Sequence, residues 1–133
     1  MNEFIQLSNQ NNRNINLEII KSFSVLILNV KSPQTLYFFF SNNFINQIIS
    51  NNYEKYDDDF IFYYINFLKS LTMKIDFTTV QFFFNNKYST CSLILSALRY
   101  YNYPDPMIKN TVRSVMLNFL KRKFICITSF SWI

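Results

Sequence analysis

No glycine occurs anywhere in this chain of 133 residues, where average usage of about 7% would supply about nine. Glycine is the residue that takes positive φ without steric cost, so a chain without it has little access to primed hairpin turns or glycine-rich phosphate loops. The dinucleotide fingerprint, the P-loop and the strained nucleophile elbow are excluded together. Sharp reversals must then fall to asparagine, serine, aspartate and proline, residues that end and start helices through their side chains or a fixed φ. The Ser41-Asn42-Asn43 and Asn85-Asn86 clusters, Ser32-Pro33 and Pro104-Asp105-Pro106 supply such punctuation. An all-α chain with short junctions is the expectation.

Histidine is also absent, which removes imidazole as a general base, a triad member or a metal ligand. The two cysteines, Cys91 and Cys126, lack the spacing of a zinc or redox motif and sit in apolar stretches, as buried thiols do. The carboxylates are sparse. Glu18, Glu54, Asp76 and Asp105 read as surface, loop or cap residues, and Asp57, Asp58 and Asp59 suit the N-terminus of a helix rather than a cation loop. No enzyme activity, cofactor or metal is expected.

Half of the residues are apolar and a fifth aromatic, enough for one core in a domain of this length. Residues 1–14 are polar and asparagine-dense and read as a disordered leader with no secretory signal. From Leu17, apolar residues recur at helical steps through Ile20, Phe23, Ile27 and Leu28. Ser32 and Pro33 open a second helix over TLYFFF (35–40), which the asparagines stop in the left-handed conformation. A third helix covers Phe44 to Ile49, and a long one Phe60 to Ile75. Asp76 caps a helix over residues 78–84, and another spans residues 88–101 with Leu93, Leu95, Ala97 and Leu98 inward. Asp105 and Pro106 start the last, whose inward stripe is Met107, Ile108, Val112, Val115, Met116, Phe119 and Leu120. Beyond Lys121-Arg122-Lys123 the apolar tail lacks helical periodicity, so 15–121 form the domain and 122–133 a truncated or irregular tail. The charge-free window from Ser32 to Tyr53 is interrupted by polar groups too often to span a bilayer.

The order contains a repeat. TLYFFFSNN (35–43) returns as TVQFFFNNK (79–87), 44 residues later, and the same shift lays Ser32 on Asp76 and the first long helix on the second. A period of about 40–47 residues is that of HEAT and armadillo arrays. The prediction is an armadillo/HEAT-like helical solenoid: two three-helix repeats plus one helix of a third, a piece of a longer stack.

Three stretches carry a resemblance: LEIIKSFSVLILNVKSPQTLYFFFSNNFINQII (17–49), FIFYYINFLKSLTMKIDFTTVQFFFNN (60–86) and ALRYYNYPDPMIKNTVRSVMLNFLK (97–121). Together they resemble the FPL domain, the N-terminal helical region of the endosomal-maturation (Ema) family, also called the C-type-lectin-named family 16 member A group. The resemblance implies a trafficking protein of endosome, Golgi, lysosome or vacuole and autophagy. It further implies a cytoplasmic location at the periphery of endosomal and Golgi membranes, with partners in the tethering or ubiquitin-ligase machinery.

The expected function is therefore a non-catalytic scaffold that binds protein partners through Asn42, Asn43, Asn85 and Asn86 and through Lys109, Arg113, Lys121, Arg122 and Lys123. The alternative is a peripheral membrane module in which Lys121-Arg122-Lys123, with Phe124 and Trp132, holds an anionic surface. The net charge of +5 gathers near the C-terminus instead of along one face, so nucleic acid is not an expected partner.

Overall fold

The computed structural model describes residues 13–76, 78–85 and 90–130, without side chains at 85, 90 and 122–130. The expected leader therefore lies outside the described residues except at its end, where α1 (Arg13–Asn29) already begins. Leu17, Ile20, Phe23 and Ile27 point into the core at the expected spacing. Leu28, assigned to the same face by the sequence, is 44% exposed, as are its neighbours Val25 and Leu26 in large part.

In α2 (Pro33–Ser41), the Ser32 hydroxyl accepts from the Thr35 N–H at 3.4 Å, and Pro33 occupies the first turn. Its end corrects an expectation. Asn42 is extended at φ −82° and ψ 141°, and Asn43 has φ −73°, so neither adopts the left-handed conformation. The reason is that side chains do the capping: Asn42 Nδ2 donates to the Phe38 carbonyl at 2.7 Å, and the Ser41 hydroxyl donates to the same oxygen at 3.0 Å. With that carbonyl satisfied, the chain leaves the helix in ordinary extended geometry. α3 (Phe44–Ser50) follows and buries Ile45, Ile48 and Ile49.

α4 (Asp58–Lys74) starts at Asp57, whose side chain accepts from the Phe60 N–H. It is the most enclosed helix, burying Phe60, Ile61, Tyr64, Ile65, Phe67, Leu68 and Leu71. Two buried tyrosines hold the end of the preceding helix: Tyr64 of α4 donates to the Ile49 carbonyl at 2.7 Å, and Tyr53, from the connecting segment, donates to the Ile48 carbonyl at 2.9 Å.

After α4 the structure departs from the sequence reading. The helix expected over residues 78–84 is a short 3-10 turn at Val80–Phe83. It runs into β1 (Phe84–Asn85), which pairs antiparallel with β2 (Thr90–Cys91) in a two-residue ladder. The helix expected over residues 88–101 shrinks to α5 (Ser92–Leu98). Leu93 and Ala97 are buried there, but Leu95 and Leu98 are 49% and 43% exposed. Two causes are visible. Thr78, Thr79 and Val80 are β-branched, a poor helical start, and the carbonyls of Phe82 and Phe83 accept side-chain hydrogen bonds from Asn46 and Ser92.

The last helix, α6 (Pro106–Phe130), begins as expected, with Asp105 accepting from the Met107 N–H at 2.8 Å. Its backbone stays helical past Lys121, where the sequence pattern lapses. Ile108, Val112, Val115 and Phe119 are buried, whereas Met107 and Leu120, expected inward, are 64% and 54% exposed.

The described residues are thus six helices with one short ladder. α1 packs on α4 and α4 on α6, while α3 packs on α5 and α5 on α6. Many bonds between these layers join residues close to one repeat apart. Arg13 reaches Asp57 and the Lys74 ammonium reaches the Val30 carbonyl, each 44 residues away, and the Ser92 hydroxyl reaches Asn46, 46 residues away. The phenylalanine triplets also meet: Phe40 and Phe83 stand edge to face at 5.5 Å, and Tyr37 and Phe82 at 5.2 Å.

Candidate interaction surface

The described sequence-predicted contact residues divide between the α2–α3 junction, the short ladder and the last helix. Asn42 and Asn43 form the α2–α3 junction; Asn43 is exposed and Asn42, half-buried, is engaged with Phe38. Asn85 sits in the ladder opposite Thr90, and Asn86 lies outside the described residues.

The basic residues are brought together better. Lys109, Arg113 and Lys121 all stand on α6, with Arg113 and Lys121 exposed and Lys109 half-buried. Arg122 and Lys123 continue the helical backbone, their side chains beyond the described residues, as are those of Phe124 and Cys126; Trp132 lies beyond them entirely. Leu117, absent from the inward stripe, is 67% exposed.

Sequence reasoning missed two features. Asn46 is a half-buried asparagine on α3: its Nδ2 donates to the Phe82 carbonyl at 2.9 Å, and its Oδ1 accepts from the Ser92 hydroxyl at 3.1 Å. The second is an open groove of about 350 Å³ at the starts of α4 and α6, lined by Asp58, Asp59, Phe62, Tyr63, Asp105 and Met107. Its aspartates were legible as helix-start residues, but not their convergence across two helices.

Charge at this end is partly compensated. Hydrogen bonds from Arg13, at 2.8 Å and 3.0 Å to the two Asp57 oxygens, hold the Asp57 carboxyl below the usual range. Tyr103 donates to Asp58, and that bond raises the phenol to about 12. The ammonium of Lys21 lies 4.5 Å from the centre of the Tyr63 ring. Farther along, Asp76 accepts from the N–H groups of Thr78 and Thr79 and from both hydroxyls. Burial pushes its carboxyl up, but these bonds outweigh burial and hold it low. Burial drives Tyr64 well up and takes Tyr100 to about 12, so both stay protonated in the core.

Among the described residues, no group of three or more His, Cys, Asp or Glu side chains is placed to hold a metal ion. Nor is any helix among them long and apolar enough to cross a membrane. What the arrangement offers is surface of two kinds: an acidic, aromatic-lined groove at one end of the long helices, and a cationic face along α6.

The FPL family model, described as an uncharacterised conserved protein, matches residues 1–120. The chain is similar to the protein named CLEC16A homolog of Caenorhabditis elegans, at 33% identity over 118 residues, covering 89% of this chain and 13% of that protein. It is 31% identical to protein CLEC16A of Homo sapiens over 115 residues, 86% of this chain and 11% of the human protein. Protein TRANSPARENT TESTA 9 of Arabidopsis thaliana is 25% identical over 122 residues, 89% of this chain and 15% of the plant protein. This chain thus spans only a small part of the length of those relatives. No solved structure matches it.

Proposed function

The chain belongs to the FPL family, and from that membership we propose that it is a non-catalytic helical scaffold acting in endosomal and Golgi trafficking, delivery to the lysosome or vacuole, and autophagy. It works by shape and charge, presenting stacked helices to protein partners, which by family likeness are tethering or ubiquitin-ligase components, at the cytoplasmic side of endosomal membranes. The observation that supports the scaffold reading is the row α1–α4–α6, in which α1 and α4 are bonded between residues 44 apart at both ends. This supports reading the helices as an armadillo-like stack, in which each unit would cover its neighbour's apolar side and leave an extended surface.

Depleting the protein in its own cells and following a fluorescent endocytic cargo tests this. Delivery to the degradative compartment should slow, and the intact chain should restore it. A variant with the α4 core broken at Phe67, which is fully buried, should not. Undisturbed cargo delivery after depletion would overturn the trafficking assignment.

A further inference from the structure

The outward side of α6 carries a row of its own. Lys109, Arg113, Leu117, Leu120 and Lys121 follow one another at steps of four, four, three and one, which places them along one side of a helix. The opposite side, Ile108, Val112, Val115 and Phe119, is buried against the rest of the fold. Leu117 and Leu120 are among the most exposed large apolar residues described, at 67% and 54%. Between Pro106 and Phe130 the helix holds five basic residues and no acidic one.

We propose that this face of α6 is a docking surface for a bilayer containing anionic lipid. Charge complementarity selects the occupant: cations flank exposed leucines along one side of a single helix that carries no acidic residue. Laid flat, Leu117 and Leu120 reach the boundary between headgroups and acyl chains while Arg113, Lys121 and Lys109 meet the phosphates. The exposed apolar residues of α1 make a contrast, because Val25 shares its side of the helix with Glu18. This surface is distinct from the Lys121-Arg122-Lys123 segment with its aromatic tail, since its centre is the row from Lys109 to Lys121. It goes beyond the partner-binding scaffold reading, and either can fail alone.

The test is co-sedimentation of the full chain with phosphatidylcholine vesicles, with and without phosphatidylserine. Binding should require phosphatidylserine and fall as salt is added. The pair Arg113→Glu and Lys121→Glu should weaken it at least about tenfold, since each charge near the surface counts. Leu117→Glu with Leu120→Glu should weaken it as much, and Val25→Glu on α1 should leave it unchanged. Circular dichroism melts of every variant, and the milder Leu117→Ser measured alongside, separate loss of binding from loss of fold. Absence of phosphatidylserine-dependent binding, or equal binding by folded charge and leucine variants, overturns the proposal and leaves this face to a protein partner.

Discussion

Residues 32–50 and 76–98 are the second and third helical segments of two copies of one sequence pattern, yet they fold differently. The first copy builds two ordinary helices, α2 and α3. The second builds a 3-10 turn, a two-residue ladder and the single helix α5. The starts differ first. Pro33 fixes a helical φ behind a serine cap, whereas Asp76 closes a tight network on Thr78 and Thr79 that ends after one turn. The burial differs next: the first triplet buries only Phe40 fully and leaves Phe38 at 64% exposure, while the second buries Phe83. The copies meet at those two buried rings. A shared motif thus fixes where two segments touch, while caps and β-branching decide what each becomes.

The largest effect that should break this comparison is at the touching rings. Phe40→Ala and Phe83→Ala should each cost about 3–5 kcal/mol in chemical unfolding, as truncation of a fully buried phenylalanine does. The same change at exposed Phe38 should be nearly silent. Next comes the asparagine between the copies: Asn46→Ala leaves the Phe82 carbonyl without its described side-chain donor and should lower stability by about 1–3 kcal/mol. Smaller again are the caps, where Asp76→Ala and Ser32→Ala should each cost about 0.5–2 kcal/mol, with Asp76 at the upper end because it holds four hydrogen bonds.

The finest discrimination is by pH. Asp76 is held low in the folded state, so its contribution is present above the ordinary unfolded carboxylate value of about 3.9 and is lost as pH falls below it. Thermal melts between neutral and strongly acidic pH should therefore drop less steeply for Asp76→Asn than for the parent. A matching drop in both would remove Asp76 from the account.

What was legible follows the same physics. Ser32-Pro33, Asp57 and Asp105-Pro106 each encode a helix start within a few residues, and each start is found. In the second copy the β-branched Thr78, Thr79 and Val80 signal a weak helix start, but the hold on the Phe82 carbonyl was not legible because its donor, Asn46, lies 36 residues away. On α6 the cations could be read by type. The outward turn of Met107 and Leu120 could not, because the apolar stripe is broad enough to be rotated and its angle is fixed by packing against α4 and α5.

A double-mutant cycle on Phe40 and Phe83 measures most directly whether the two copies lie against each other. Contact between the rings predicts that the double truncation costs about 0.5–1.5 kcal/mol less than the sum of the two single truncations. Additive losses at the two positions would mean that the triplets are not neighbours, and the stacked arrangement would be contradicted.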